Sequence, residues 1–199
     1  MKIGALVLAA GKASRFGAVK QLLELDGVTL IDRACHTAFA AGCSPVLRVI
    51  GGHADEILAR CCPAGVETLH HSGWEEGMGS SLAAGVKRLV GLAPDLDAIV
   101  ILLPDQPAVD AGLLGRIFAA LKLPETSIVL CDHGRASGPP ALFSARHFGE
   151  LTALEGDAGA KSVAARHAQQ VVKVLAPETV HDMDSPEAWE RFIQARATS

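Results

Sequence analysis

Residues 8–21 read LAAGKASRFGAVKQ and follow directly on the apolar run IGALVL at residues 3–8. A buried strand that opens into a glycine-containing, cation-bearing loop is how α/β proteins offer backbone N–H groups and positive charge to phosphates. The glycines and cations of this loop are Gly11, Gly17, Lys12, Arg15 and Lys20. The stretch therefore predicts a strand followed by a triphosphate-binding loop. The alternative is a surface turn whose cations are only solvated.

Two better-known phosphate loops do not fit this stretch. The P-loop pattern requires an upstream glycine and a Ser or Thr after its Gly-Lys pair, but Leu6 and Ala13 occupy those positions. The dinucleotide fingerprint G-x-G-x-x-G cannot be placed on Gly11 and Gly17. A phosphate site here would be of another type.

Composition narrows the class of protein. The chain has 199 residues, 49% of them apolar, which is enough for one sizeable globular domain. A formal charge of −4 without a basic stripe argues against nucleic acid as a partner. No apolar run is long enough to span a membrane, and no signal-peptide pattern is visible at the start. The five cysteines include no C-x-x-C pair, which favours reduced thiols and a cytoplasmic location.

Strand-like apolar runs alternate with helical patterns along the chain. The strand-like runs cover residues 46–50, 66–69, 98–103 and 127–131, and the helical patterns cover residues 54–61, 80–89 and 111–121. This alternation is typical of right-handed βαβ units. The sequence therefore predicts an α/β fold over residues 1–199: a single-domain, doubly wound, mostly parallel sheet with helices on both faces.

Polar segments that follow strands are candidates for the site, because ligands of such sheets lie outside the carboxyl ends of the strands. Residues 70–81 read HHSGWEEGMGSS and would bring N–H and hydroxyl groups to a helix start. Helix capping by Ser80 or Ser81 is the alternative for the serines. Residues 104–107 read PDQP, where Asp105 either caps the following helix or holds a metal ion.

A fourth candidate lies near the end of the chain, where residues 182–187 read DMDSPE. Ser185 fits an N-cap with Pro186 at the first helical position. The two acids that precede this cap, Asp182 and Asp184, are more than capping requires.

The histidines show no metal-binding spacing. His70 and His71 are adjacent and would point to opposite faces if they continue a strand. His53 lies at a strand-to-helix junction. Four others are scattered along the sequence: His133, His147, His167 and His181. The sequence therefore favours no transition-metal site.

Six motifs, in order, resemble the molybdenum-cofactor nucleotidyltransferase family, and within it the molybdopterin cytidylyltransferases. The first is the opening pattern L-A-[AG]-G-x-x-x-R-[MF]-G-x-x-K at residues 8–20. The others are EGMGSSL at 76–82, PDQP at 104–107, GPPALF at 138–143, GDAGAK at 156–161 and DSPE at 184–187. Together they span nearly the whole chain, and the resemblance implies a Rossmann-like nucleotidyltransferase fold.

The resemblance implies that CMP is transferred from CTP to the terminal phosphate of molybdopterin, with release of pyrophosphate. It implies Arg15, Lys20 and Asp105 as catalytic residues and Mg²⁺ as the cofactor, held by Asp105 and Asp184, with Asp182 as an alternative or outer ligand. The nucleotide-binding residues that it implies are Leu8, Ala9, Ala10, Gly11, Lys20, Gly79, Ser80, Ser81, Pro104 and Asp105. The acceptor-binding residues that it implies are Gly138, Pro140 and Asp157.

Base and acceptor are separate questions within that family. Ala10 marks the cytidylyltransferases, because the guanylyltransferase relatives carry a second glycine there, and its methyl group leaves less room for a purine. Pro139 and His71 depart from the cytidylyltransferase pattern, which usually has histidine and often asparagine at these positions. The alternatives are therefore a nucleotidyltransferase with another phosphorylated acceptor, or a non-catalytic module that binds the nucleotide or cofactor. A molybdoenzyme or its maturation chaperone is the implied protein partner.

Overall fold

The computed structural model describes residues 1–11, 19–61, 63–134, 136–177 and 185–197. The strands of these residues are β1 (Ile3–Ala9), β2 (Glu24–Leu25), β3 (Val28–Thr29), β4 (Val46–Ile50), β5 (Val66–His70), β6 (Ala98–Leu102), β7 (Ile128–Asp132), β8 (Ser137–Ser144) and β9 (Val171–Leu175). Their α-helices are α1 (Leu30–Ala40), α2 (Ala54–Arg60), α3 (Met78–Leu92), α4 (Ala111–Ala120), α5 (Phe148–Thr152), α6 (Ala160–Arg166) and α7 (Pro186–Ala197).

Seven strands of the described residues form one sheet in the order β5-β4-β1-β6-β8-β7-β9. All neighbours pair in parallel except β8, which runs antiparallel to both β6 and β7. The mostly parallel sheet predicted from the sequence is confirmed. The start of β8 therefore lies at the edge of the sheet where the parallel strands end.

Helices cover both faces of this sheet, as predicted. Alternate residues of β1 divide between two cores, since Ala5 and Val7 belong to one apolar cluster and Leu6 to the other. The first cluster contains buried side chains of α1, α2 and α4, and the second contains those of α3, α5 and α6. The strands between them are buried on both sides, which explains their continuous apolar runs. Within the described part of the chain, no helix combines the length and apolar character that crossing a bilayer requires.

The helix starts decide two of the sequence alternatives. α3 begins at Met78 with Gly77 as its cap and without a side-chain cap, so the serine-cap interpretation of Ser80 and Ser81 is wrong. Ser185 Oγ accepts a hydrogen bond from the Ala188 amide at 3.3 Å, ahead of Pro186, and the predicted cap of α7 is confirmed.

Four cysteines of the described residues are buried: Cys35, Cys43, Cys61 and Cys131. Burial raises the pKa of Cys35 and of Cys43 to about 12. These two thiols are therefore protonated near neutral pH and pack as small apolar side chains.

Candidate active site

The candidate site lies at the point between β1 and β6 where the strand order of the sheet reverses. β1 sits between β4 and β6, so the carboxyl ends of β1 and β6 border the crevice in which doubly wound folds hold their ligands. Gly11 follows β1 and is exposed, and residues 104–107 follow β6. Both are segments that the sequence singled out.

Lys20 and Asp105 meet in this crevice. Lys20 Nζ donates to Asp105 Oδ2 at 2.8 Å, and the two side chains are 13% and 26% exposed. This contact brings the end of the first loop to the segment after β6. An ammonium group and a carboxylate, both partly shielded from water, therefore lie side by side near the carboxyl ends of β1 and β6.

The second oxygen of Asp105 is suited to a cation. Asp105 Oδ1 is buried and has no hydrogen-bond partner among the described residues. A buried carboxylate oxygen without a partner is costly, and hard oxygen atoms are the ligands that Mg²⁺ prefers. Asp105 thus fits the implied divalent ion. Arg15, Asp182 and Asp184, which the sequence also assigned to the site, lie outside the described residues.

Gln21 holds the first loop in place, a role that the sequence analysis missed. Its Nε2 donates to Ala9 O at 3.1 Å and to Gly11 O at 2.9 Å, and the side chain is 8% exposed. These bonds tie the start and the end of the loop together at its base. The only sequence signal was its place directly after Lys20, since an amide side chain carries no motif of its own.

The segment before α3 reaches the same loop through tightly packed glycines. Ala10 O accepts a hydrogen bond from Gly52 N at 3.2 Å. A Cβ added at Gly51 would lie 2.7 Å from Ala10 O and 2.7 Å from Trp74 Cβ, so backbone and indole approach as closely as a glycine permits. Trp74 therefore packs against the same glycine that packs against Ala10.

Gly77 and Gly79 pack against residues 155–158 at the start of α3. Gly79 N donates to Gly156 O at 2.7 Å. A Cβ at Gly77, whose φ is 116°, would lie 2.4 Å from Gly156 O and 2.7 Å from Asp157 Oδ1. The segment GMGSS and the segment GDAGA thus form one packed unit, with Asp157 exposed on it.

The two serines of that unit have different surroundings. Ser80 Oγ lies 3.0 Å from Gly77 O, 3.1 Å from Gly73 O and 3.1 Å from His71 Nε2. Its hydroxyl group therefore shapes the preceding loop. Ser81 is buried at the first turn of α3.

Two of the predicted acceptor residues, Gly138 and Pro140, lie at the start of β8. Gln106 Nε2 donates to Pro139 O at 2.9 Å, which joins this strand to the neighbour of Asp105. Gly138 and Pro140 are buried on either side of that carbonyl. A Cβ at Gly138 would lie 3.5 Å from Lys161 Cε and 3.9 Å from His133 Nε2, so a lysine and a histidine flank Gly138.

One group of histidines is not scattered. His147 and His167 lie with Glu150 in a cluster whose donor atoms are within 4.8 Å of one another. No spacing in the sequence indicates this grouping, because the chain folds back over the 19 residues between the two histidines.

A family model matches residues 5–171, described as the MobA-like NTP transferase domain. The chain belongs to this family. The match contains Lys20, Asp105, Gly79 and the acceptor segments, so the crevice is built from the region that defines a MobA-like NTP transferase.

Curated relatives of this MobA-like chain carry different names. Over 116 residues it is 33% identical to nicotine blue oxidoreductase of Paenarthrobacter nicotinovorans, covering 58% of the chain and 55% of that protein. Purine catabolism protein PucB of Bacillus subtilis is 31% identical over 94% of both proteins. A molybdenum cofactor guanylyltransferase of Xanthomonas euvesicatoria is 27% identical over 94% of the chain and 93% of that protein. Family membership alone therefore does not fix the substrates.

Solved structures agree with the fold. Rv0371c of Mycobacterium tuberculosis superposes with a TM-score of 0.83 at 29% identity, covering 97% of the chain and 98% of that protein. Its complex with manganese gives a TM-score of 0.78 at 28% identity, covering 98% of the chain and 100% of that structure. The architecture is that of Rossmann-like nucleotidyltransferases.

Proposed function

We propose that the chain is a single nucleotidyltransferase domain that transfers CMP from CTP to the terminal phosphate of molybdopterin. The observation that carries this proposal is the Lys20–Asp105 pair beside the Gly11 loop, with a buried carboxylate oxygen left over. A site that combines a cation with an available acid suits a triphosphate and its divalent ion. Arg15 and Asp184 complete the proposed set of charges.

The reaction conserves the phosphate groups. An acceptor phosphate oxygen forms a bond to the α-phosphorus of CTP while the bond from the α-phosphorus to the α–β bridging oxygen breaks. The electron pair leaves with pyrophosphate. A phosphate nucleophile is already ionised near neutral pH, so the chain needs no dedicated base, and positioning and charge neutralisation supply most of the catalysis.

The residues divide this work between them. Lys20 neutralises the triphosphate and the leaving pyrophosphate, and Gln21 keeps the backbone of Ala9 and Gly11 in place around it. Mg²⁺ held by Asp105 and Asp184 would bind phosphate oxygens and stabilise the charge that develops during transfer. The manganese complex of a relative supports a divalent ion in this fold.

Ala10 supports the choice of base, and one relative supports the choice of acceptor. The methyl group of the buried Ala10 limits the space beside the loop, which favours the smaller pyrimidine of CTP. A relative named for the molybdenum cofactor supports the acceptor class, although its own name specifies guanylyl transfer. Gly138, Pro140 and Asp157 form the proposed acceptor side. The product would pass to a molybdoenzyme or its maturation chaperone in the cytoplasm, where the buried thiols of Cys35 and Cys43 stay reduced.

Pyrophosphate release tests the proposal directly. Purified protein is mixed with Mg²⁺, molybdenum cofactor and each of the four nucleoside triphosphates in turn. Release with CTP that depends on the acceptor is the expected result. Release only with a sugar phosphate as acceptor would favour the alternative transferase. Nucleotide binding without release under any condition would favour the non-catalytic module.

The variant Ala10→Gly tests the choice of base. Removal of the methyl group should raise the use of GTP relative to CTP. Equal use of both nucleotides by the unmodified protein would show that Ala10 does not set specificity.

A further inference from the structure

Among the described residues, one group of three side chains has donor atoms close enough to share a metal ion: His147, Glu150 and His167. Glu150 Oε1 lies 3.6 Å from His147 Nδ1 and 2.6 Å from His167 Nε2. Zn²⁺ binds imidazole nitrogen and carboxylate oxygen at about 2.0–2.2 Å. Small movements of the half-buried Glu150 carboxylate and of His167 would bring all three atoms to one ion.

This cluster lies at the end of the sheet where the parallel strands begin, whereas the proposed phosphate-transfer site lies where they end. β8 begins near Asp105, runs antiparallel to β6, and ends at Ser144, which pairs with Ala98 at the start of β6. His147 follows in the turn after Ser144, and His167 lies directly after α6. The cluster is therefore separate from the predicted carboxylate site.

The hydrogen bonds around His147 decide which ring nitrogen carries the proton. Ser127 Oγ donates to Gln170 Oε1 at 2.5 Å, so the same oxygen accepts from His147 Nε2 at 2.8 Å. The neutral ring then has its lone pair on Nδ1. That atom is buried and has no hydrogen-bond partner among the described residues, while His147 as a whole is 3% exposed.

Two lone-pair atoms thus face each other across 3.6 Å with no proton between them: His147 Nδ1 and Glu150 Oε1. A ring nitrogen fixed by a bond from the other nitrogen is the arrangement that metal-binding histidines use. Burial is the largest cause that lowers the pKa of His147, and its neutral form is the one that binds metal.

Two nearby arginines lower the affinity of the cluster for a metal ion, but they do not occupy the position between its donor atoms. Arg166 Nε and Nη2 both lie 3.0 Å from Glu150 Oε2, which fixes the carboxylate and leaves Oε1 directed at the histidines. Arg146 adds positive charge near His147. Binding must also replace the hydrogen bond between His167 Nε2 and Glu150 Oε1.

We propose that His147 Nδ1, Glu150 Oε1 and His167 Nε2 bind a divalent transition-metal ion, with water at the remaining position. Nitrogen and carboxylate ligands suit Zn²⁺ and its neighbours better than Mg²⁺. The ion would join the turn after β8 to the end of α6. Its role is structural, because the cluster lies away from the transfer site.

Metal titration of the untagged, full-length protein tests this proposal. The chelator-treated protein is titrated with Zn²⁺ while excess Mg²⁺ occupies the oxygen-ligand sites, and bound ion is counted by equilibrium dialysis. Co²⁺ is added in a parallel experiment, because its visible spectrum reports nitrogen ligation. His167→Gln and Glu150→Gln change partly exposed side chains, so the buried core around His147 stays intact.

His53→Gln is the matched control. His53 Nδ1 lies 3.0 Å from Glu56 Oε1 at the start of α2, and the two residues are three positions apart in the sequence, as His147 and Glu150 are. We expect one Zn²⁺ per chain and a raised melting temperature in the unmodified protein and in His53→Gln. The affinity of His167→Gln and Glu150→Gln should fall at least about tenfold. Equal Zn²⁺ affinity of the protein and both cluster variants, or no bound Zn²⁺ at all, would overturn the proposal.

Discussion

Lys20 Nζ and Asp105 Oδ2 lie 2.8 Å apart although 85 residues separate them in the chain. This contact neutralises one oxygen of the carboxylate and leaves the other buried without a partner among the described residues. The ammonium group of Lys20 is therefore available to bind phosphate, and the second carboxylate oxygen of Asp105 is available to bind a divalent ion. Each of the two roles can be tested separately.

Lys20→Met removes the positive charge and keeps most of the side-chain stem. Loss of a charge-assisted phosphate contact costs about 1.5–3 kcal/mol, so kcat/KM for CTP should fall by about 10- to 150-fold. Pyrophosphate release at several CTP concentrations measures the change. Lys87→Met, at an exposed position of α3, should leave kcat/KM unchanged. Unaltered turnover in Lys20→Met would remove this residue from the catalytic set.

Asp105→Asn removes the negative charge at nearly constant shape. A neutral amide is a poor ligand for Mg²⁺ and cannot form an ion pair with Lys20. Mg²⁺-dependent pyrophosphate release should therefore nearly disappear. Asp110→Asn is the control five residues along the chain, where Asp110 Oδ1 caps α4 by accepting from Leu113 N at 2.7 Å. Asparagine caps helices about as well, so that variant should stay active. The two-carboxylate site is wrong if Asp105→Asn retains the full rate of Mg²⁺-dependent pyrophosphate release.

Gln21→Leu tests whether the base of the loop is held by the amide. Loss of the bonds to Ala9 O and Gly11 O should raise KM for CTP by roughly tenfold. Because no reacting group is removed, kcat should change much less. A purely structural role would instead lower the free energy of unfolding with KM unchanged. Gln169→Leu, at an exposed position, should alter neither parameter.

The parts of the fold that the sequence predicted are those with a local signal. β1 and β6 are continuous apolar runs because both of their faces are covered, and the loop after β1 carries its glycines and cations in order. The direction of β8 has no such signal. Residues 137–144 read as a turn and an apolar strand in either orientation, and only pairing with β6 and β7 makes the strand antiparallel.

The candidate site also contains residues with a local sequence signal and residues whose contacts depend on the tertiary fold. Lys20 and Asp105 were singled out as candidates because each lies in a segment that follows a buried strand. The contribution of Gln21 and the meeting of His147 with His167 were not, because both depend on packing between distant segments. The start of α3 was placed two residues late, since serine is a common helix cap and the backbone of Gly77 gives no signal in the sequence.

Gly79→Ala and Gly91→Ala place the same methyl group at two positions of α3 and should have opposite effects. At Gly79 the added Cβ would lie 2.7 Å from Glu155 O and 2.8 Å from Ala158 O, so the two segments must separate, at a cost of about 1–3 kcal/mol. At Gly91 no atom lies within 4 Å, and alanine should stabilise the helix by about 0.5–1 kcal/mol. Urea denaturation measures both changes. Equal stability of the two variants would contradict the close packing of residues 155–158 against α3.

His147 should make the metal-free protein less stable as pH falls from 7.5 to 5.5. Burial lowers the pKa of His147 below its value in the unfolded chain, near 6.5, so the unfolded state binds more protons in this window and the free energy of unfolding decreases. His167 and Arg146 act in the same direction, whereas the carboxylate of Glu150 opposes them. The pKa of Glu150 is itself lowered, mainly by the hydrogen bond from His167, so loss of its stabilising contribution begins only below this window. Urea denaturation in chelator at each pH should show a weaker pH dependence for His147→Gln than for the unmodified protein. His167→Gln should keep most of the dependence, because burial is the largest cause, and an equal slope in all three proteins would show that His147 is not held neutral by burial.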